Sequence, residues 1–154
     1  MELSELISPD SIIATLKAGS KKQALQELSE VAESLTGVSS SDVFGIVLQR
    51  ERLGSTGVGQ GIAIPHGKLD GLDKLFAIFA RLETPINFDA MDDQPVDLIF
   101  MLLAPESAGA DHLKALARIS RTLRDSSVTE KLRNSDTITA IYSILTQPAA
   151  SHAA

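Results

Sequence analysis

At 154 residues the chain suits one domain with a real core, and a composition of 44% hydrophobic and 22% charged residues is that of an ordinary soluble globular protein. A net charge of −6 argues against nucleic acid as a main partner, and the lack of any cysteine removes disulfides, thiolate metal sites and cysteine nucleophiles together. No apolar run is long enough to span a bilayer and no signal peptide is read at the start. Direct membrane insertion is therefore not expected, and the cytoplasm is the expected location.

Residues 1–10 read as a lead-in stopped by Pro9, and Ile12–Leu16 as a strand. Ser20 and Gln23 have capping-box spacing. Ala24, Leu25, Leu28, Val31, Ala32 and Leu35 then recur at helical spacing, and Gly37 is a natural stop. A polar run over 39–42 opens a second helix with an apolar stripe of Val43, Phe44, Val47 and Leu48, which carries Arg50 and Glu51 in its last turn and ends at Gly54. Beyond the glycine-rich stretch discussed below, residues 75–82 and 96–103 are continuous apolar runs, as expected of interior strands covered on both faces. Thr84-Pro85 and residues 89–95 are read as loops, and Pro105 as the stop of the last strand. Helices follow. Over 110–124, Leu113, Leu116, Ala117, Ser120 and Leu123 are expected to face inward and Lys114, Arg118 and Arg121 to form a solvated basic stripe. Ser127 with Glu130 reads as a capping box for a short helix, and Asp136 as the cap of a final one with Ile138, Ile141, Tyr142 and Leu145 inward. The order β-α-α-β-β-β-α-α-α predicts a mixed α/β fold: three layers, α/β/α, with a mixed sheet flanked by helices. Residues 1–147 are expected to form one domain and 148–154 a disordered tail in which His152 is idle.

Six of the ten glycines fall between Gly54 and Gly71. Within that stretch Ile62-Ala63-Ile64 reads as a short strand ended by Pro65, which presents His66 at the strand's end, and Gly67 lets the backbone bend or approach another element closely. A Walker-type loop is excluded, because Gly61 to Gly67 is one residue too long and Leu69 replaces the magnesium-binding hydroxyl. A dinucleotide fingerprint is excluded as well, because Ile62 stands where the third glycine belongs. His66 is then the chemically distinctive residue. By itself such a histidine is more often an idle turn residue.

Arg50 leads into the glycine stretch, and His112, preceded by Asp111, lies at the start of a helix, where partial positive charge and free N–H groups favour anions. Two histidines, an arginine and loop amides suggest a place for a phosphoryl group. Taken singly, His112 reads as a surface residue and Arg50 as a helix end paired with Glu51 or Asp42. The rival chemistry is a metal site from His66, His112 and Asp111, which no local ligand spacing supports. A serine hydrolase is weaker still, since G-x-S-x-G is absent.

The stretch from Glu51 through Val58-Gly59 to Ile62-Ala63-Ile64-Pro65-His66-Gly67 resembles the active-site signature of the mannitol/fructose-type IIA (EIIA type-2) proteins of the bacterial phosphoenolpyruvate-dependent sugar phosphotransferase system. The likeness extends over residues 5–146 and looks most like the stand-alone nitrogen-regulatory branch, IIA-Ntr. It implies that His66 accepts a phosphoryl group on Nε2 from a small HPr-like carrier, that Arg50 stabilises the phosphate and that His112 assists, with no metal or organic cofactor. It also implies a phosphocarrier rather than a metabolite-turnover enzyme. Such a carrier signals through its phosphorylation state to regulatory targets such as potassium-transport or sensor proteins. The alternative is a sugar-transport IIA component that passes phosphate to a separate IIB protein.

Overall fold

A computed structural model describes residues 1–147; the expected tail over 148–154, including His152, lies outside the described residues. The element order is β1 (Ile12–Leu16), α1 (Lys21–Thr36), α2 (Ser40–Arg52), β2 (Gly57–Gly59), β3 (Ile62–Ala63), β4 (His66–Leu69), β5 (Phe76–Ile86), β6 (Val96–Pro105), α3 (Ala110–Arg124), α4 (Ser126–Arg133) and α5 (Ile138–Leu145). The six strands form one mixed sheet in the order β1-β5-β6-β3-β2, and β4 pairs with β6 beyond β3. Strand β6 is antiparallel to β5 but parallel to β3 and β4, and β1 is parallel to β5.

The alternation of β6 builds the layers. Ile99, Met101 and Leu103 point into a core with Leu25 and Leu28 of α1 and Val43 and Val47 of α2. Leu98, Phe100 and Leu102 point into a second core with Ala115 and Ile119 of α3, Leu132 of α4 and Ile141 and Leu145 of α5. Phe79 and Phe100, directly opposite on β5 and β6, meet edge to face with centroids 5.6 Å apart. The α/β/α layering and mixed sheet are as the sequence predicts.

Several local expectations are corrected. The sheet holds two more short strands than expected, β2 and β4, both recruited by pairing with neighbours rather than by apolar content. Pro65 does not end the strand path. Its carbonyl accepts from Leu102 N at 2.9 Å, so the chain continues along β6 and His66 opens β4 instead of closing β3. Thr84 and Pro85 lie inside β5, whose pairing with β6 slips between Arg81 and Ile86, an irregularity that tolerates a proline. The first ten residues contain one short 3-10 turn, Leu3–Glu5, and begin a second, Pro9–Ser11, and they bury Leu3, Leu6 and Ile7 in the second core. The Ser20 cap forms as read, but the Gln23 side chain accepts from Gly19 N rather than from Ser20. Helix α4 is capped by Asp125, not Ser127, and α5 by Thr137, not Asp136; Ile138, expected inward, is 43% exposed.

Helix α3 turns a different face inward from the one expected. Its buried residues are His112, Ala115, Arg118, Ile119 and Leu123, while Leu113 is 67% exposed and Ala117 is exposed too. The basic stripe is dissolved by the same rotation: Arg118 is buried, and its Nη2 lies 3.3 Å from Glu2 Oε2 of the amino-terminal segment.

Two glycines are fixed by close approach. At Gly61 (φ +81°) a Cβ would meet Arg133 Nη2 at 2.6 Å and Asp97 Oδ1 at 2.9 Å. This is where Arg133, ion-paired to Asp97, donates to Gln60 O at 2.7 Å and clamps the β2–β3 turn. At Gly67 a Cβ would lie 2.6 Å from Ile46 Cγ2 of α2. Because a β-branched side chain has little rotamer freedom in a helix, the neighbour cannot swing aside. Gly67→Ala should therefore destabilise the fold by about 1–3 kcal/mol, and Ile46→Ala in the same chain should recover part of that loss. Urea denaturation of the single and double variants checks it; equal stability of Gly67→Ala and the natural chain contradicts the packing argument.

Candidate functional site

His66 is half-buried at the first position of β4, opposite Leu102 of β6. Its Nδ1 lies 2.9 Å from the carbonyl oxygen of Ile64. A carbonyl can only accept, so Nδ1 carries the proton of the neutral ring and Nε2 keeps its lone pair. Ile64 is itself held, since its N–H donates to Thr56 O at 3.0 Å. The tautomer of the ring is thus selected by backbone geometry from both sides of one residue.

His112 comes from the other layer. It sits in the first turn of α3, beyond the end of β6, and its ring centroid is 5.7 Å from that of His66 at an interplanar angle of 56°. The sequence expectation of a surface residue is corrected: His112 is buried, and its Nδ1 has no hydrogen-bond partner. Burial holds its pKa below the ordinary histidine range, and the nearby charges of His66 and Lys68 lower it further. His112 is accordingly neutral near neutral pH, with one ring nitrogen still unsatisfied.

Arg50 is half-buried in the last turn of α2 and donates from Nη1 to Gly54 O at 2.8 Å. Neither expected partner, Glu51 or Asp42, takes it. That bond anchors the guanidinium to the opening of the glycine stretch. One of its five donors is used, and the planar fork is left for an anion. The ring contact brings His66 and His112 together, and Arg50 lies one helical turn after Ile46, the α2 residue that touches Gly67 beside His66.

Two further residues lie close to this arrangement. Lys68 is exposed two residues after His66, so the strand period places both on the same side of β4, and its charge is felt at His112. Reading His66 as the first residue of a strand would have found it. Thr56 is buried and tied to Glu51 through both its amide and its hydroxyl. Asp111, the carboxylate of the rival metal set, is exposed, and among the described residues no three His, Asp or Glu side chains are gathered as metal ligands.

The family described as "Phosphoenolpyruvate-dependent sugar phosphotransferase system, EIIA 2" matches residues 5–147. A nitrogen regulatory protein of Bradyrhizobium diazoefficiens is 58% identical over 153 residues, covering 99% of this chain and 100% of the relative. One from Escherichia coli K12 is 41% identical over 148 residues, covering 95% and 90%. The solved structure of the nitrogen regulatory protein IIA-Ntr from Neisseria meningitidis superposes with a TM-score of 0.89 at 38% identity, over 94% of this chain and 99% of that one. Among the described residues no helix is long and apolar enough to cross a membrane.

The depressed pKa of His112 has a pH consequence. In the window below about 6.5 the unfolded chain binds a proton at His112 that the folded chain resists, so stability is lost as pH falls through that value and is unaffected above it. His112→Gln should flatten this acid-side loss. Denaturant midpoints of both proteins at about pH 8 and pH 5 measure it, and parallel losses in the two proteins contradict it.

Proposed function

Because this chain belongs to the EIIA 2 family of the phosphoenolpyruvate-dependent sugar phosphotransferase system, we propose that it is a phosphoryl carrier in which His66 is the acceptor. We read residues 1–147 as the single domain that performs this task. The observation that carries the reading is the hydrogen bond from His66 Nδ1 to Ile64 O, which leaves Nε2 as the nucleophile.

The donor is a phosphohistidine on an HPr-like carrier. Nε2 of His66 attacks the phosphorus in line, the new N–P bond forms as the donor's N–P bond breaks, and the donor imidazole leaves with the electron pair of that bond. His66 keeps its Nδ1 proton on Ile64 throughout, so no proton has to be moved. The transferred group is metaphosphate-like in flight and needs positioning and positive charge on its equatorial oxygens more than covalent help. Arg50 supplies the fork and Lys68 a point charge. His112, neutral and with an unsatisfied nitrogen, holds a hydrogen bond to the phosphoryl group or to the ring that bears it.

The names of the relatives support a regulatory carrier. Adding one dianion to a half-buried strand position alters the charge of the surface around His66, and proteins that recognise one state reject the other. The targets in this reading are regulatory proteins such as potassium-transport or sensor proteins, and the setting is the cytoplasm. The family's description names a sugar system, and this supports a second reading, onward transfer to a separate IIB protein.

With phosphoenolpyruvate, the first enzyme of the system and the HPr-like carrier, the protein should gain one phosphoryl group in an acid-labile, base-stable bond. His66→Ala should fold and take up none. Arg50→Lys, which keeps charge but loses the fork, should transfer more slowly, by about 10-fold or more if one charge-assisted hydrogen bond is lost. Intact-mass and radiolabel time courses measure all three. Phosphate on the folded alanine variant contradicts the assignment of His66, and natural rates in Arg50→Lys contradict that of Arg50. Onward transfer to a sugar would favour the second reading.

A further inference from the structure

Glu51 takes no part in the transfer step, yet its carboxylate is only 6% exposed as a residue and is fully engaged. Oε1 accepts from Lys21 Nζ at 2.9 Å and from Thr56 N at 3.1 Å, and Oε2 accepts from the Thr56 hydroxyl. Lys21 also lies 4.6 Å from the centroid of the Phe88 ring. One carboxylate therefore joins the start of α1, the end of α2 and the entry to the glycine stretch.

A buried ion pair is a poor way to gain stability alone, because desolvation offsets much of the attraction and an apolar replacement often does as well. What the arrangement does supply is orientation. Residues 54–61 contain four glycines and have little stiffness of their own. Thr56 is the point at which that stretch is gripped, through both its amide and its hydroxyl. The far side of Thr56, its carbonyl, takes the N–H of Ile64 at 3.0 Å, and the carbonyl of Ile64 takes Nδ1 of His66 at 2.9 Å.

We propose that Glu51 is a positioning residue for His66, acting through Thr56 and Ile64 to fix the Nδ1–H tautomer and so keep Nε2 available. The catalytic half of this inference rests on His66 being the phosphoryl acceptor; the tautomer half does not. Without the grip, the entry to the glycine stretch relaxes, the Ile64 carbonyl loses its aim, and the proton shares itself between the two ring nitrogens. The same tie places Arg50, the preceding residue on α2.

The test uses Glu51→Gln, Thr56→Val and Thr56→Ser. Thr56→Val keeps the Lys21–Glu51 pair and the backbone bonds and removes only the hydroxyl donor; Thr56→Ser restores it. The first readout is the pair of ring ¹⁵N shifts of unphosphorylated His66 at about pH 8. The natural protein and Thr56→Ser should show the Nδ1–H form alone, whereas Thr56→Val and Glu51→Gln should show a mixture. The second is transfer from the phosphorylated HPr-like carrier: the maximal rate should fall about 10-fold or more in Glu51→Gln, with the half-saturating carrier concentration unchanged. Should Glu51→Gln fail to fold, Thr56→Val decides alone. Natural ring shifts in Thr56→Val overturn the inference. A natural protein that accepts no phosphate overturns the proposed function instead, and the ring shifts still judge the role of Glu51.

Discussion

The 2.9 Å hydrogen bond between His66 Nδ1 and Ile64 O constrains more of this protein than its length suggests. For it to exist, Ile64 must face its carbonyl toward the ring of a residue two positions on, which requires the chain to pass from β3 through Pro65 into β4 along the side of β6. Parallel pairing of β3 with Leu98 and Ile99, and of β4 with residues from Leu102 onward, holds that path. Gly67 then lets α2 lie against β4 with Ile46 in contact, where any side chain would push the helix away. The site is thus mounted on the sheet, not on a loop, and its geometry is as rigid as the core beneath it.

The charges around the ring are sorted by burial. Burial, with the nearby charges of His66 and Lys68, favours the neutral form of His112, whereas Lys68 is exposed and Arg50 half-buried. A neutral donor at the back and cations at the rim suit a group that arrives and leaves as an anion, since too much fixed positive charge would trap it. An unsatisfied nitrogen on buried His112 is a standing cost in the free protein. Binding a hydrogen-bonding group there would relieve it.

Much of the architecture was legible in the sequence because its signals are apolar and periodic. Helix α1 has a simple stripe from Ala24 to Ala32, and β6 is a continuous apolar run. The buried face of α3 was not legible, because two of its five buried residues, His112 and Arg118, belong to types that normally face water, while Leu113 does the reverse. Strands β2 and β4 are dominated by glycine, histidine and lysine, with Val58 the one strong β-former between them, and pairing with their partners makes them strands. Caps failed where several cap-competent residues stand in a row: Asp125, Ser126 and Ser127 each qualify, and the tertiary path selects the first. At the site, His66, Arg50 and His112 could be singled out by residue type and by likeness to a family signature. Lys68 needed His66 to be read as the start of a strand, and Thr56 is marked only by its hydrogen bonds to Glu51 and Ile64, which no spacing signals.

The measurement that bears most directly on the account is the identity of the phosphorylated ring nitrogen. In the phosphorylated, ¹⁵N-labelled protein, long-range proton–nitrogen correlation with phosphorus coupling resolves Nδ1 from Nε2 for each histidine. Phosphorus is expected to couple to Nε2 of His66, with Nδ1 of the same ring still protonated toward Ile64. Coupling to Nδ1 of His66, or to either nitrogen of His112, would contradict it.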